Sequence, residues 1–293
     1  MNFGTVTILG PGLIGGSLAL ALSERGLADK LVIYARRDAA FPDIRAKLPQ
    51  AELTTDVNAA VRDADVVVLC VPIETMKALV KQFVGSLKPT ALVTDVGSVK
   101  ESVENEIAPL LHGKAFWIGS PPMAGSEQAG FAIARADLFD GATVIVTPTE
   151  QTSRETHYRA EKFWTALGGR VVAYSPIVHD ISVAQVSHLP HLLAAALVDH
   201  VQNAEPDALG LVGGGFRDST RIAAGSPELW VEILSANSKA LAHALEPFIQ
   251  KLDDLKGCLK DADLERQKQH LLELLKDAQD VRSKIPDTRP KNS

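Results

Sequence analysis

The chain has 293 residues but only two cysteines, Cys70 and Cys258, far apart and outside any CxxC spacing. A disulfide framework or a zinc cage is therefore not expected. Cys70 stands within Val66-Val67-Val68-Leu69-Cys70-Val71, where a buried packing thiol is the expected reading. Positive charge is also scarce: 30 Lys and Arg against 36 Asp and Glu leave a formal net charge of −6. That balance argues against a general binder of nucleic acid or anionic membrane, both of which need a basic surface. Small anionic substrates stay compatible, since a few placed arginines hold them inside an acidic protein. No uninterrupted apolar run reaches the roughly 18 residues of a membrane span. The first residues lack a charged segment followed by an apolar run and a cleavage site. Internal repeats and low-complexity segments are absent. A soluble, cytoplasmic protein without a metal site is the expectation.

What is present suits two domains, with 46% hydrophobic residues to build a core in each. Short apolar runs alternate with helical patterns through the first half. Strands are predicted at Thr5–Leu9, Leu31–Tyr34, Val66–Val71, Leu92–Asp95, Phe116–Ile118, Val144–Val146 and Arg170–Val172, with helices near 14–26, 75–86 and 99–111. This alternation predicts an α/β fold, a doubly wound parallel sheet with helices on both faces, over residues 1–175. From Pro176 the character turns all-helical, giving a second domain over 176–285 and a flexible tail at 286–293. Residues 177–203 are apolar nearly all round, which suits a helix buried on every side or one used for dimerisation. Pro190 should kink or break it. A glycine-rich loop is expected at Gly213-Gly214-Gly215, then amphipathic helices over 227–258 and 261–282.

Gly10-Pro11-Gly12-Leu13-Ile14-Gly15 follows the first strand and opens a helix, the context in which a GxGxxG pattern has meaning. Gly10 permits the tight turn, Gly12 lets the backbone approach a pyrophosphate, and Gly15 lets helix and strand pack closely. The helix N-terminus then presents free N–H groups to the anion. A dinucleotide-binding domain is the reading, with Val71 placed in the same site. An NAD site usually carries a carboxylate about 20 residues after the loop; here that position is Ala35, followed by Arg36 and Arg37. Guanidinium groups pair with a ribose 2′-phosphate, so Arg36 and Arg37 predict NADP; two solvated surface arginines are the plainer alternative.

Further segments resemble the prephenate and arogenate dehydrogenases of tyrosine biosynthesis. Thr94-Asp95-Val96-Gly97-Ser98-Val99-Lys100 looks like the family's segment after the strand that ends in Asp95, and Pro122-Met123-Ala124-Gly125-Ser126-Glu127 like its active-site turn. Val186-Ser187-His188-Leu189-Pro190-His191 and Gly214-Gly215-Phe216-Arg217-Asp218-Ser219-Thr220-Arg221 resemble its two helical-domain motifs. The segments occur in family order across residues 4–250. The resemblance implies a Rossmann domain, a helical dimerisation domain, and a small dianionic cyclohexadienyl substrate. It also implies the reaction: the ring gives hydride from C4 to a nicotinamide, loses its ring carboxylate as carbon dioxide and becomes aromatic. It gives Ser98 a place near the ring hydroxyl, makes His188 a pocket residue, and pairs Arg221 with a substrate carboxylate. Ser126 and Arg217 fall in the same substrate group. On the residues alone, a histidine on an apolar helix such as His188 is more often a satisfied core residue. Arg217 and Arg221, four apart, read as a surface pair on one helical face.

One departure stands out. The family's turn begins with a histidine directly before the proline, which accepts the 4-hydroxyl proton; here Gly119-Ser120-Pro121-Pro122 places Pro121 there. Pro121 has no acid, base or hydrogen-bonding side chain. Either Ser98, His188 or an ordered water handles the proton, or Pro121 is a change in an otherwise ordinary enzyme. The remaining alternative is an NADP-binding relative with another substrate or no catalysis, such as a sensor or partner protein. A β-hydroxyacid dehydrogenase would need a catalytic lysine on the helical domain, and Lys239 lacks a supporting motif. Beyond Gln250 too little chain follows for a separate regulatory domain, so inhibition by tyrosine would act within these two domains.

Overall fold

β-Branched residues dominate the strands of the first half, and they pair as the apolar pattern predicts. The structure, a computed structural model, describes residues 1–126, 128–203 and 208–285. Its strands are β1 (Thr5–Leu9), β2 (Lys30–Tyr34), β3 (Glu52–Thr54), β4 (Val66–Leu69), β5 (Leu92–Asp95), β6 (Phe116–Gly119), β7 (Thr143–Val146) and β8 (Arg170–Ala173). The helices of the first half are α1 (Leu13–Glu24), α2 (Phe41–Lys47), α3 (Val57–Val61), α4 (Ile73–Phe83), α5 (Glu101–Leu111) and α6 (Arg154–Ala166). Then come α7 (Pro176–Val183), α8 (Leu189–Gln202), α9 (Gly214–Thr220), α10 (Pro227–Ala236), α11 (Ser238–Leu259) and α12 (Leu264–Lys284).

Strands β1 to β6 form one parallel sheet in the order β3-β2-β1-β4-β5-β6. This is the Rossmann order, in which the chain reverses direction across the sheet between β1 and β4 and opens a crevice at the strands' carboxyl ends. Side chains alternate between two buried cores. Ile8, Val66 and Val68 join Leu18, Phe163 and Trp164 on one face, while Leu9, Val67 and Leu69 join Val80, Phe83 and Ile107 on the other. Both faces are covered, so the strands can be apolar along their whole length. β7 and β8 pair in parallel as a separate ribbon. The chain after β6 runs antiparallel beside β7 through bridges Gly119–Thr147 and Pro122–Val144.

Several expectations are corrected. The fourth strand stops at Leu69, and Cys70 and Val71 form the loop beyond it. Cys70 is half-buried as a residue and lines the cleft, while its thiol is buried. The apolar stretch 177–203 is not buried on every side. Pro176, His179, Asp180, Val183, Ala184, His188, Leu189, His191 and Ala194 are buried, whereas Ile177, Val178, Ile181, Val186 and Leu197 are exposed. By length and composition Pro176–Gln202 would cross a membrane, yet its buried face carries His179, Asp180, His188 and His191. The expected break comes just before Pro190 as a π-helical turn, Ala184–His188; proline has no N–H and its ring crowds the carbonyl four residues back. Gly214 and Gly215 begin α9 instead of lying in a loop, with Gly213 as N-cap. The helix expected over 227–258 breaks at Asn237, whose side chain turns inward to make the bonds described below. The tail at 286–293 and Glu127 lie outside the described residues.

The chain gathers into two compact units, Met1–Ser238 and the part from Lys239 onward. Helices α7 to α10 therefore share a unit with the sheet. In the second unit Asp263 caps α12 by accepting from the N–H of Glu265 and Arg266. Gln267 reaches back to donate to the carbonyls of Cys258 and Leu259, satisfying the end of α11.

In the first unit, carboxylates on the helical side hold the sheet side. Asp180 accepts from the backbone N–H of Lys100 (2.7 Å) and Glu101 (2.9 Å), where α5 begins. Glu232 accepts from the N–H of Glu74 (2.5 Å) in the first turn of α4. Beneath α5, Lys100 makes a fully buried ion pair with Asp95. Gly119 leaves the space: a Cβ there would lie 2.9 Å from Lys100 Cδ and 2.7 Å from Thr147 Oγ1. Removing one partner of a buried pair strands the other charge in a low dielectric. Lys100→Ala should therefore cost about 3–5 kcal/mol in urea unfolding; a loss under about 1 kcal/mol would show that Asp95 does not depend on it.

Candidate active site

The phosphate loop follows β1, and each of its glycines meets a distinct constraint. Gly10 has φ +107°, and a Cβ on it would collide with the carbonyl of Cys70. A Cβ on Gly15 would strike the carbonyl of Gly10 and approach Ile8 Cγ2 to 3.1 Å, so this glycine lets α1 lie close on β1 and β4. A Cβ on Gly12 meets nothing within 4 Å. Packing does not require glycine at position 12. Open space beside a helix N-terminus is what a close-approaching ligand needs.

Helices α1, α4 and α5 all begin at the carboxyl edge of the sheet, and their N-termini differ in one respect. Those of α4 and α5 are filled by Glu232 and Asp180. That of α1 has no side-chain cap; Gly12 is its N-cap, and the first turn, with Leu13 and Ile14, holds no acidic residue. Its N–H groups and the positive end of its dipole face a cleft of about 460 Å³. The cleft is lined by Gly10, Pro11 and Gly12 on one side and Cys70, Val71 and Pro72 on the other, with Tyr34, Ala35 and Arg36 at the end of β2. It lies at the switch point between β1 and β4. These residues fit a dinucleotide: open backbone donors for a pyrophosphate and apolar walls from Val71 and Leu79 for a flat ring. Arg37 does not line the cleft but caps the short turn Asp38–Ala40. Burial and the charge of Asp95 push the Cys70 thiol well up, which disfavours its thiolate.

The other expected site residues follow the sheet edge. Ser98 is exposed in the bend between β5 and α5. Pro121 is buried beyond β6, where its carbonyl accepts from Ile145 N–H at 3.0 Å. Next to it, Ser120 is fully buried and accepts a hydrogen bond from the Thr94 hydroxyl at 2.9 Å. Ser126 is exposed, its hydroxyl oxygen accepting from Gln128 N–H.

His188 ends the π-helical turn and is buried. Its Nδ1 lies 3.1 Å from the Asn237 amide nitrogen, and its ring meets Trp230 edge-on. Burial pushes its pKa down to about 4, against the opposing pull of Asp180. His191, one turn on, stacks on Trp230 with ring centroids 3.5 Å apart, and burial lowers its pKa too. Asp180 also contacts His179 Nδ1 at 2.7 Å, and its backbone carbonyl accepts from Asn237 at 2.8 Å. The structure thus joins the chain two residues beyond Ser98 to His188 through Asp180 and Asn237. Arg221 opens the turn Arg221–Ala224, which packs on α8; Arg217 lies in α9, and both arginines are exposed.

Residues 18–173 match the nucleotide-binding domain of prephenate dehydrogenase, and residues 175–277 match its dimerization domain. The chain belongs to the prephenate and arogenate dehydrogenase family. A cyclohexadienyl dehydrogenase of Zymomonas mobilis is 33% identical, over 98% of this chain and 99% of its own length. A solved prephenate dehydrogenase of A. aeolicus, in complex with hydroxyphenyl propionate and NAD+, superposes with a TM-score of 0.88 at 31% identity, covering 98% of this chain and 99% of that one. A Synechocystis arogenate dehydrogenase follows at 0.78 and 30% identity, over 94% and 99% of the two chains. The family fold was legible from the motifs, but Asp180, Trp230, Glu232 and Asn237 were not picked out. Asn237 had a readable signal: it interrupts an apolar stripe at helical spacing between Ile233 and Leu241.

The glycines separate ligand from fold. Gly12→Ala should leave the thermal midpoint within a few degrees, since its Cβ enters open space. It should weaken dinucleotide binding by about tenfold or more in a fluorescence titration. A large fall in the midpoint with affinity retained would make Gly12 structural.

Proposed function

We propose that the chain oxidatively decarboxylates prephenate to 4-hydroxyphenylpyruvate, or arogenate to tyrosine, using NADP and working as a homodimer. The observation that carries this reading is the hydrogen-bonded frame from α5, just beyond Ser98, through Asp180 and Asn237 to His188. That frame stands beside a sheet edge whose α1 N-terminus is left for an anion. When bound, a nicotinamide supplies the acceptor for the hydride that leaves ring C4. The chain's own residues bind, orient and handle the proton. Arg221, with Arg217 near it in sequence, supplies a planar fork suited to a carboxylate. His188 and Ser126 complete the substrate group, and Ser98 stands by the ring hydroxyl. Loss of carbon dioxide and aromatisation supply most of the driving force.

Support for NADP comes from Arg36, which reaches the cleft without making an ion pair among the described residues, and from Ala35 in place of a carboxylate. A 2′-phosphate is a dianion that a guanidinium binds bidentately and a carboxylate repels. The A. aeolicus relative holds NAD+, so the titration must include both cofactors. Support for the dimer comes from the open apolar face of Ile177, Val178, Ile181 and Val186 and from the family's dimerization domain.

Pro121 favours a second reading, a cofactor-binding relative with another substrate or without turnover. Its carbonyl takes part in pairing with β7, yet its side chain offers no proton acceptor. On the main reading, Ser98 at its exposed bend passes the 4-hydroxyl proton to water, a poorer route than a histidine.

Two experiments test these points. Arg36→Ala should lower NADP affinity by about tenfold, a loss of roughly 1.4 kcal/mol, and leave NAD affinity nearly unchanged; wild-type binding of NAD as tight as NADP would overturn the cofactor assignment. Pro121→His should raise turnover with prephenate or arogenate by about 10²–10⁴, the usual contribution of a general base. Unchanged turnover would remove the family mechanism from this protein.

A further inference from the structure

His188 is held by a neighbour whose own orientation is fixed independently. The Asn237 amide nitrogen donates to the backbone carbonyl of Asp180 at 2.8 Å. A carbonyl only accepts, so this bond determines which end of the amide is NH₂. The same nitrogen lies 3.1 Å from His188 Nδ1. Nδ1 must therefore be the acceptor, and in a neutral ring the proton then sits on Nε2. Nε2 is then the ring nitrogen that offers a donor.

We propose that Asn237 is a positioning residue that locks His188 in the Nε2–H tautomer, so that His188 donates a hydrogen bond into the substrate pocket and does not accept a proton there. This rests on the proposed function for the identity of the pocket's occupant; the tautomer does not.

Several observations support the lock. Asn237 is 5% exposed, and His188 is 1% exposed, so water does not compete for the bond between them. Asn237 stands at the break between α10 and α11, where its own N–H bonds the carbonyl of Ile233 at 3.1 Å. Its backbone is thus anchored on α10 while its side chain reaches α7 and the π-helical turn. The carbonyl it binds belongs to Asp180, whose carboxylate is fixed by Lys100, Glu101 and His179. Each member is held by a bond that does not involve His188. The groups whose charge acts on the ring are Asp180, His179 and His191; burial outweighs the attraction of Asp180, and the ring stays neutral at physiological pH.

A donor at this place has a specific chemical consequence. A neutral Nε2–H pairs with a hydroxyl oxygen, a carboxylate or a ketone oxygen, and leaves the 4-hydroxyl proton to Ser98 and water. His188 is then not a substitute for the histidine missing at Pro121.

The test is long-range ¹H–¹⁵N spectroscopy of full-length protein labelled at its eight histidines, with the His188 signals identified by their loss in His188→Asn. The expected wild-type pattern is an unprotonated Nδ1 and a protonated Nε2 that persists from pH 8 down to about 5.5. In Asn237→Asp the new carboxylate accepts from Nδ1–H, and the pattern should reverse or become that of an imidazolium. Asn237→Ser keeps a donor in place of the amide and should retain the wild-type tautomer. The aspartate variant should lose about tenfold or more in kcat with dinucleotide affinity unchanged. If it does not fold, the wild-type and serine spectra decide the matter. A wild-type ring protonated on Nδ1, or an Asn237→Asp spectrum identical to wild type, would overturn the proposal. Turnover absent from every variant would remove the proposed activity, while the spectra would still decide the tautomer.

Discussion

The ends of helices constrain this structure more than any other feature. A helix that starts at the carboxyl edge of a parallel sheet exposes N–H groups that nothing in the helix can satisfy. Three solutions occur side by side in the described chain. Asp180 closes α5, Glu232 closes α4, and α1 is left open behind Gly12. The two closures come from the helical region and tie it to the sheet. The one opening faces the cleft, where an anion takes the place that a carboxylate takes elsewhere. Binding and assembly therefore draw on the same physical need.

The same frame separates the loop suited to cofactor recognition from the turn where the family carries its histidine. The cofactor loop depends on backbone shape, and its glycines satisfy that shape without reference to chemistry at C4. Proton transfer depends on one side chain at the turn after β6. Pro121 preserves the turn's acceptor for Ile145 and supplies nothing else. His188 is buried and bonded at Nδ1 by Asn237, and burial lowers its pKa. The phosphate loop and the turn at Pro121 can thus vary separately, because different parts of the backbone build them.

Much of this was legible in the sequence. Short continuous apolar runs and the GxGxxG context located β1, β4, β5 and α1, since parallel strands covered on both faces are largely apolar along their length. The elements α2, β3 and α3 were not legible; they are short, and tertiary packing rather than strong periodicity holds them. For residues 177–203 the sequence left burial on every side and dimerisation both open, because composition reports which residues avoid water, not which neighbour covers them. Ser98, His188, Arg221 and Pro121 stand out through family resemblance alone. Asp180, Glu232 and Asn237 escaped notice because their partners are distant in the chain: Asp180 meets Lys100, and Glu232 meets Glu74. Only the folded backbone brings them together.

The borrowed carboxylates also limit how freely the two halves of such a protein can be exchanged. A hybrid that joins this sheet to the helical half of a relative inherits two unfinished helix ends. It gains stability only if the incoming half presents acids where Asp180 and Glu232 stand. A match of apolar surfaces alone would leave α4 and α5 as additional open anion sites, competing with α1 for the very ligand the fold reserves to it. Divergence in one half is therefore coupled to the other through two side chains that close helix ends.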